Sequence, residues 1–314
     1  MYEYRRMTPD ARVYVAGHRG LVGSALMRRL DEGGYEDVIT RTSDELDLRN
    51  QQAVHQFFDQ QRPEFVILAA AKVGGILAND TYRADFIRDN LQIQTNVIDA
   101  AHRHGVQRLL FLGSSCIYPR ECPQPMKEEH LLSGPLEPTN EPYAIAKIAG
   151  IKMCESYNAQ YNTKYLSVMP TNLFGPNDNF DLETSHVLPA LIRKFHEAKE
   201  RGDNTVTLWG TGEPQREFLH VDDLADACVF LLEQTDETRL INIGVGKDIT
   251  IQELAELISD IVGFDGAIDH DRSKPDGSPR KLLDVARLNT LGWRPKTTLR
   301  EGINNTVEWY RSTF

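Results

Sequence analysis

The feature that most constrains this chain is a glycine-punctuated turn set directly between an apolar run and an apolar-periodic helix. Residues 12–15 read as a short β-rich run ended by Gly17, and residues 21–32 follow with apolar positions at helical spacing. The same alternation then continues. Strands are expected at 37–40, 65–68, 108–112 and 165–169, with helices at 51–60, 86–103 and 143–160 between them. Strands alternating with helices of this length imply a parallel sheet with helices on both faces. The strands are almost wholly apolar, as a sheet covered on both sides requires. The expected fold is therefore α/β, a Rossmann-like doubly wound parallel sheet.

After Pro170 the pattern changes. Residues 173–215 are richer in Asn, Pro and Gly, with one helix expected at 187–199. Residues 217–245 read as a helix and strand returning to the sheet. Beyond them lie an amphipathic helix at 251–262, a polar loop at 271–280 and a last helix from about 299. The expected division is a dinucleotide-binding domain, 1–172 with the return segment 217–245. A smaller, discontinuous C-terminal substrate-binding lobe comprises 173–216 and 246–314. Residues 1–11 read as a loose leader.

Charge narrows the partners. The 314 residues carry 35 Lys plus Arg against 46 Asp plus Glu, a formal charge of −11. That balance argues against nucleic acid, which is bound through basic patches, but leaves room for an anionic small molecule held by a few cations. The longest apolar stretch, residues 65–71, is far short of the ~20 residues that cross a bilayer. The N-terminal residues lack the apolar core of a signal peptide. The four cysteines form no CxxC pair, so a reducing, cytoplasmic setting is expected, and no metal site is.

The turn itself reads Gly17-His18-Arg19-Gly20-Leu21-Val22-Gly23. Glycines there let the backbone turn tightly and approach a pyrophosphate, which then lies at the positive N-terminus of the helix at Leu21 and Val22. A plain structural turn has the same composition, and the strand–turn–helix setting favours cofactor binding. NAD enzymes place an acid about 20 residues further on, for the ribose 2′-hydroxyl. Here that region reads Ile39-Thr40-Arg41-Thr42-Ser43, without an acid at the strand end. Arg19 and Arg41 could instead clamp a 2′-phosphate, which favours NADP(H), although two surface arginines would read alike. Asp47 and Leu48 are expected against the adenine.

Tyr143 and Lys147 form a YxxxK pair on one face of a helix. A cation beside a phenol favours its ionised form, which would make Tyr143 a proton donor or acceptor near neutral pH. The run Gly113-Ser114-Ser115-Cys116-Ile117-Tyr118-Pro119 falls at the carboxyl edge of the sheet, where open α/β folds bind ligands. A thiol there suggests proton abstraction from carbon, though a free cysteine is more often a small buried hydrophobe.

Glycine turn, serine and YxxxK together resemble the extended short-chain dehydrogenase/reductases, over nearly the whole chain. The resemblance includes Ala69-Ala70-Ala71 and the run from Arg216 to Asp223. It implies that Ser114 and Tyr143 hold a substrate carbonyl and that Lys147 also binds the nicotinamide ribose. The 4,6-dehydratases carry an Asp-Glu pair where this chain has Ser115 and Cys116, so that elimination chemistry is absent. GSSCIYP, EPTNEPYAIAKIAG, MPTNLFGPNDNF, SHVLPALI and SKPDGSPRKLLD are similar to the bifunctional 3,5-epimerase-4-reductases. Those enzymes convert GDP-4-keto-6-deoxy-D-mannose to GDP-L-fucose. The resemblance makes Cys116 the base and His186 the acid; a helix-terminal polar residue is the plainer reading of His186. It places Pro170, Asn172, Leu173 and His186 at the cofactor, and Ser115, Lys194, Trp209, Arg216 and Asp276 at a GDP-sugar, with Lys281 nearby. Ser43 departs from an arginine common among bacterial relatives. It also implies a homodimer through helices 86–103 and 143–160. The alternatives are a nucleotide-sugar 4-epimerase or 4-keto reductase, or a non-catalytic NADP sensor, which the intact YxxxK disfavours.

Overall fold

A computed structural model describes residues 5–274 and 276–314. The chain runs β1 (Val13–Ala16), α1 (Leu21–Glu32), β2 (Val38–Ile39), α2 (Gln51–Gln61), β3 (Phe65–Leu68), α3 (Ile76–Thr81), α4 (Arg83–Arg103) and β4 (Arg108–Leu112). It continues through α5 (Glu141–Tyr161), β5 (Leu166–Pro170), β6 (Asn172–Phe174), α6 (Val187–Arg201), β7 (Thr205–Trp209) and β8 (Gln215–His220). Next come α7 (Val221–Gln234), β9 (Ile241–Ile243), β10 (Asp248–Thr250), α8 (Ile251–Val262), β11 (Ala267–Asp271), β12 (Arg280–Lys281), α9 (Ala286–Thr290) and α10 (Leu299–Thr313).

Six of the strands form one parallel sheet in the order β2-β1-β3-β4-β5-β9. Alternate residues of each strand enter different cores, which is why the strands are apolar throughout. Tyr14, Ala16, Val66, Leu68, Leu109 and Phe111 pack with residues of α2, α4 and α5. Val13, Val15, Phe65, Ile67, Leu110 and Leu112 pack with α1 and α7 on the other face. The strand order reverses between β1 and β3, so a crevice opens above their carboxyl ends.

The C-terminal segments build a second layer. β8 lies at its centre, flanked by β10 and β12 and paired in parallel with β6, while β7 pairs with β11. Residues of α6, α8 and α10 close a third apolar cluster over these strands. The return segment divides: β8 joins the second layer, and α7 and β9 complete the main domain.

Three expectations change. The leader is docked from Met7 onward, because Met7 (2% exposed) and Ala11 belong to the α1–α7 core and Met7 N–H donates to Leu232 O at 3.0 Å. Residues 1–4 of that leader, and Pro275 of the polar loop, lie outside the described residues. The helix expected at 86–103 begins at Arg83 and is preceded by α3, which sequence reading missed. No side chain caps α3, so it leaves no start signal.

Candidate active site

The glycine turn is shaped by contacts that leave no room for side chains. Gly17 has φ 87°, and a Cβ on it would stand 2.7 Å from the Ala70 nitrogen at the end of β3. A Cβ on Gly23 would stand 2.6 Å from the carbonyl carbon of Gly17, which holds α1 tightly against the turn. At Gly20 the same test finds only an ordinary 3.6 Å contact, so the space over the N-terminus of α1 is open. Gly20 offers no capping side chain, and no acid lies in the first turn that includes Leu21 and Val22. A cradle with free room and a positive helix end fits a dinucleotide pyrophosphate.

Beyond the turn, Arg41 donates to Thr40 O at 2.7 Å, and its guanidinium lies 5.5 Å from the Phe57 ring centroid. Glu45 is held by Thr42 N and Oγ1 at 2.7 and 2.9 Å, and the positive charges of both Arg41 and Arg19 reach it. The two arginines of the expected 2′-phosphate clamp therefore share one neighbourhood. Ser43 is exposed. Asp47 is more tightly engaged than expected: both its carboxylate oxygens accept from Arg49 at 2.9 Å, which holds its pKa below the ordinary value. Leu48 packs against the core beside α2.

The reactive cluster is assembled by β4 and α5. Pro142 in the first turn of α5 fits a helix start, which sets Tyr143 at its entrance and Lys147 one turn on. Lys147 is buried; its Nζ donates to Leu112 O at 2.8 Å and lies 6.0 Å from the Tyr143 ring centroid. Burial lowers Lys147 to about 8. Tyr143 departs from the sequence expectation. Burial and the Cys116 sulfur push its pKa up, outweighing a hydrogen bond with Ser114, so the phenol is a protonated donor at neutral pH.

Cys116 sits on the short turn Ser115–Ile117 after β4. Its Sγ is 3.1 Å from Ser114 Oγ, and Asn140 Nδ2 donates to its carbonyl at 3.2 Å. It is half-buried, whereas Cys122, Cys154 and Cys228 are buried, the last two with thiols pushed up to about 12. The thiol at the site is the one among the four that has solvent access, which is not how a core cysteine behaves. Asn140 was not singled out from the sequence, although it lies within EPTNEP.

His186 occupies the N-cap position of α6, yet its imidazole caps nothing. Its surface meets solvent while the surrounding walls lower its pKa. The carbonyl of Thr184, two residues before it, accepts from Gly75 N at 3.1 Å, which ties the segment to the chain leaving β3. Pro170 ends β5; Asn172 Nδ2 donates to Glu217 O at 2.8 Å, and Leu173 packs into the α1–α7 core.

The remaining positions lie on the second layer. Lys194 Nζ stands 5.5 Å from the Trp209 ring centroid, and Trp209 is 64% exposed. Arg216 lies on β8 beside Lys281 of β12, and burial lowers both. Charges on Cys116, Arg216 and Glu137 all act on Lys281, so this residue belongs to the reactive cleft. Asp276 accepts from Thr211 N and Oγ1 at 2.9 and 2.8 Å, and Ser115 is buried beneath the thiol. Sequence reading missed Glu217. Fully buried, it accepts from Val245, Gly246 and Leu283 N–H at 2.6, 2.6 and 3.0 Å, binding together the segments that carry Arg216 and Lys281.

The sequence profile of the NAD dependent epimerase/dehydratase family matches residues 13–244. The chain is 61% identical to GDP-L-fucose synthase 1 of Arabidopsis thaliana, over 96% of this chain and 93% of that protein. It is 56% identical to GDP-L-fucose synthase of Escherichia coli strain K12, over 95% and 96%. The chain belongs to the GDP-L-fucose synthase family. A solved structure described as a gdp-l-fucose synthetase from Naegleria fowleri bound to NADP matches with TM-score 0.90 at 29% identity, over 98% of this chain and 96% of that one. Its fold likeness spans both layers, so the family resemblance extends to the second layer as well as the dinucleotide turn.

Proposed function

We propose that this protein is an NADP-dependent bifunctional enzyme that converts GDP-4-keto-6-deoxy-D-mannose to GDP-L-fucose by 3,5-epimerisation and 4-keto reduction. The observation that carries the reading is the solvent-reachable Cys116 thiol 3.1 Å from the Ser114 hydroxyl, next to a buried Tyr143–Lys147 pair. A reductase alone needs the hydroxyls and the lysine; the thiol adds a base.

Protons on carbons 3 and 5 flank the 4-keto group, so loss of either leaves an enolate on the same oxygen. Ser114 and Tyr143 donate to that oxygen in both epimerisations, as an oxyanion hole does. Cys116 as thiolate takes the proton from carbon, and His186 delivers one to the opposite face, which inverts the centre. A lowered pKa makes the His186 imidazolium a stronger acid for that delivery. The bound nicotinamide supplies hydride to carbon 4. Tyr143, protonated because it is buried, gives its proton to the resulting alkoxide. Lys147 lies within reach of the phenolate this leaves. Gly17, Gly20, Gly23, Leu21 and Val22 would cradle the pyrophosphate, with Arg19 and Arg41 at the 2′-phosphate. Lys194, Trp209 and Arg216 would receive the GDP moiety.

We also read residues 1–172 with 217–245 as the cofactor-binding domain and the remainder as the substrate lobe. A homodimer through α4 and α5 is supported by exposed Ile145 and Tyr161 on α5, at 43% and 46%. No helix of the described residues is long and apolar enough to cross a membrane, and the four unpaired cysteines suit the cytoplasm. The deciding experiment is NADPH oxidation with GDP-4-keto-6-deoxy-D-mannose, followed by analysis of the sugar's stereochemistry. GDP-L-fucose as product is expected. A product with unchanged carbons 3 and 5 would reduce the function to a 4-keto reductase.

A further inference from the structure

We infer that Lys274 binds the diphosphate of the nucleotide-sugar, as a third cation on a path that runs from Trp209 to Arg216. The inference rests on the GDP-sugar reading above. β7 and β11 pair in parallel with Trp209 opposite Asp271, so both strands end at the same point and the indole projects from that end. The chain after Asp271 then doubles back. Ser273 N and Oγ donate to Asp271 Oδ1, and Lys274 N donates to Asp271 O at 3.2 Å. This turn brings the Lys274 ammonium 5.4 Å from the Trp209 ring centroid, while α6 independently brings Lys194 to 5.5 Å.

Two ammonium groups of like charge thus converge on one indole that is 64% exposed. A single cation over an indole is an ordinary resting place for a surface lysine. A second one beside it adds repulsion, which an anionic ligand relieves. The loop is also fixed in position. Asp276 accepts from Thr211, crossing Gly210, whose positive φ of 75° and close approach to the Asp276 carboxylate leave no space for a side chain. One residue further, a Cβ on Gly277 would stand 2.9 Å from Arg216 Nη2, so the loop passes from the indole to the guanidinium. A flat ring face with cations strung along one side matches a nucleoside diphosphate: a base for the indole and two phosphates for the cations.

Isothermal titration of the full-length protein with GDP and with GMP, for wild type, Lys274→Ala and Lys274→Arg, tests this. Lys274→Ala is expected to weaken GDP about tenfold, equal to about 1.4 kcal/mol, and GMP by much less. Lys274→Arg should restore GDP affinity to within about threefold, since it keeps the charge. NADPH affinity should be the same in all three, and the GDP deficit should shrink at high salt. An unchanged GDP affinity in Lys274→Ala would overturn the inference. Equal losses for GDP and GMP would overturn the assignment to the diphosphate. Wild type that binds neither nucleotide would instead refute the GDP-sugar reading on which the inference stands.

Discussion

Replacing Gly20 or Gly23 by alanine separates cofactor binding from folding, although the two glycines lie in one turn. At Gly23 the added methyl would stand 2.6 Å from Gly17 C and His18 Cα, and closer still to Gly17 O. Reaching an ordinary 3.4 Å requires opening by 3.4 − 2.6 = 0.8 Å, between backbone segments with no side chain to yield. Overpacking of this kind costs ~3 kcal/mol, the upper part of its usual range. At about 2–4 °C per kcal/mol, the melting temperature should fall by roughly 6–12 °C. At Gly20 the methyl meets only Gly17 O at 3.6 Å and φ is −76°, so the fold should lose no more than ~1 kcal/mol. That methyl fills the space over the α1 N-terminus, and NADPH affinity should fall at least tenfold. The assays are thermal melting without cofactor and fluorescence titration of NADPH. Wild-type NADPH affinity in Gly20→Ala would mean that the pyrophosphate binds elsewhere, and an unaltered melt in Gly23→Ala would refute the packing argument.

Alanine at both Arg19 and Arg41 should raise the KM for NADPH about tenfold or more and leave NADH nearly unchanged; initial rates with both cofactors measure this, and an intact NADPH preference would place the clamp elsewhere. Tyr143→Phe should lower the reduction rate by roughly 10²–10⁴-fold, the usual contribution of one acid–base group, with NADPH binding retained. Asp178 should make stability depend on pH. Burial raises its carboxyl to about 7, and its Oδ2 has no hydrogen-bond partner in the fold. A folded pKa raised above the unfolded one gives stability that is full below about pH 4 and lost as pH rises through 7. Asp178→Asn should therefore gain on wild type in melts between pH 5 and 8, by ~1–2 kcal/mol at the upper end, and equal melts across that range would show the carboxylate to be solvated.

The parts legible in the sequence are those whose structure is decided locally. The bounds of α1, β3, β4 and α8 coincide with the expected segments, because helical periodicity and unbroken apolar runs specify them without reference to distant residues. β6, β10 and β12 were not legible. Each is two or three residues long and exists through its pairing with β8, across separations that no local pattern encodes. The site shows the same limit. Ser114, Tyr143 and Lys147 could be read from motif spacing, but the protonation of Tyr143 could not, since it depends on how completely the folded cleft removes water. Lys281 reaches the cleft because Glu217 accepts from the backbone of Leu283, a contact between residues 66 positions apart.

The central claim, that one site performs both proton abstraction and hydride transfer, is tested most directly by Cys116→Ser. Serine is nearly isosteric with cysteine, so substrate position is preserved, but its hydroxyl is far too weak an acid to furnish a base at pH 7. NMR of the reduced sugar, made in deuterated water, reads both the configuration and the exchange at carbons 3 and 5. The expected result is slow NADPH consumption that yields a GDP-6-deoxyhexose with the manno configuration at both carbons and no deuterium there. GDP-L-fucose formed by Cys116→Ser at the wild-type rate would contradict the account and assign the base to another residue.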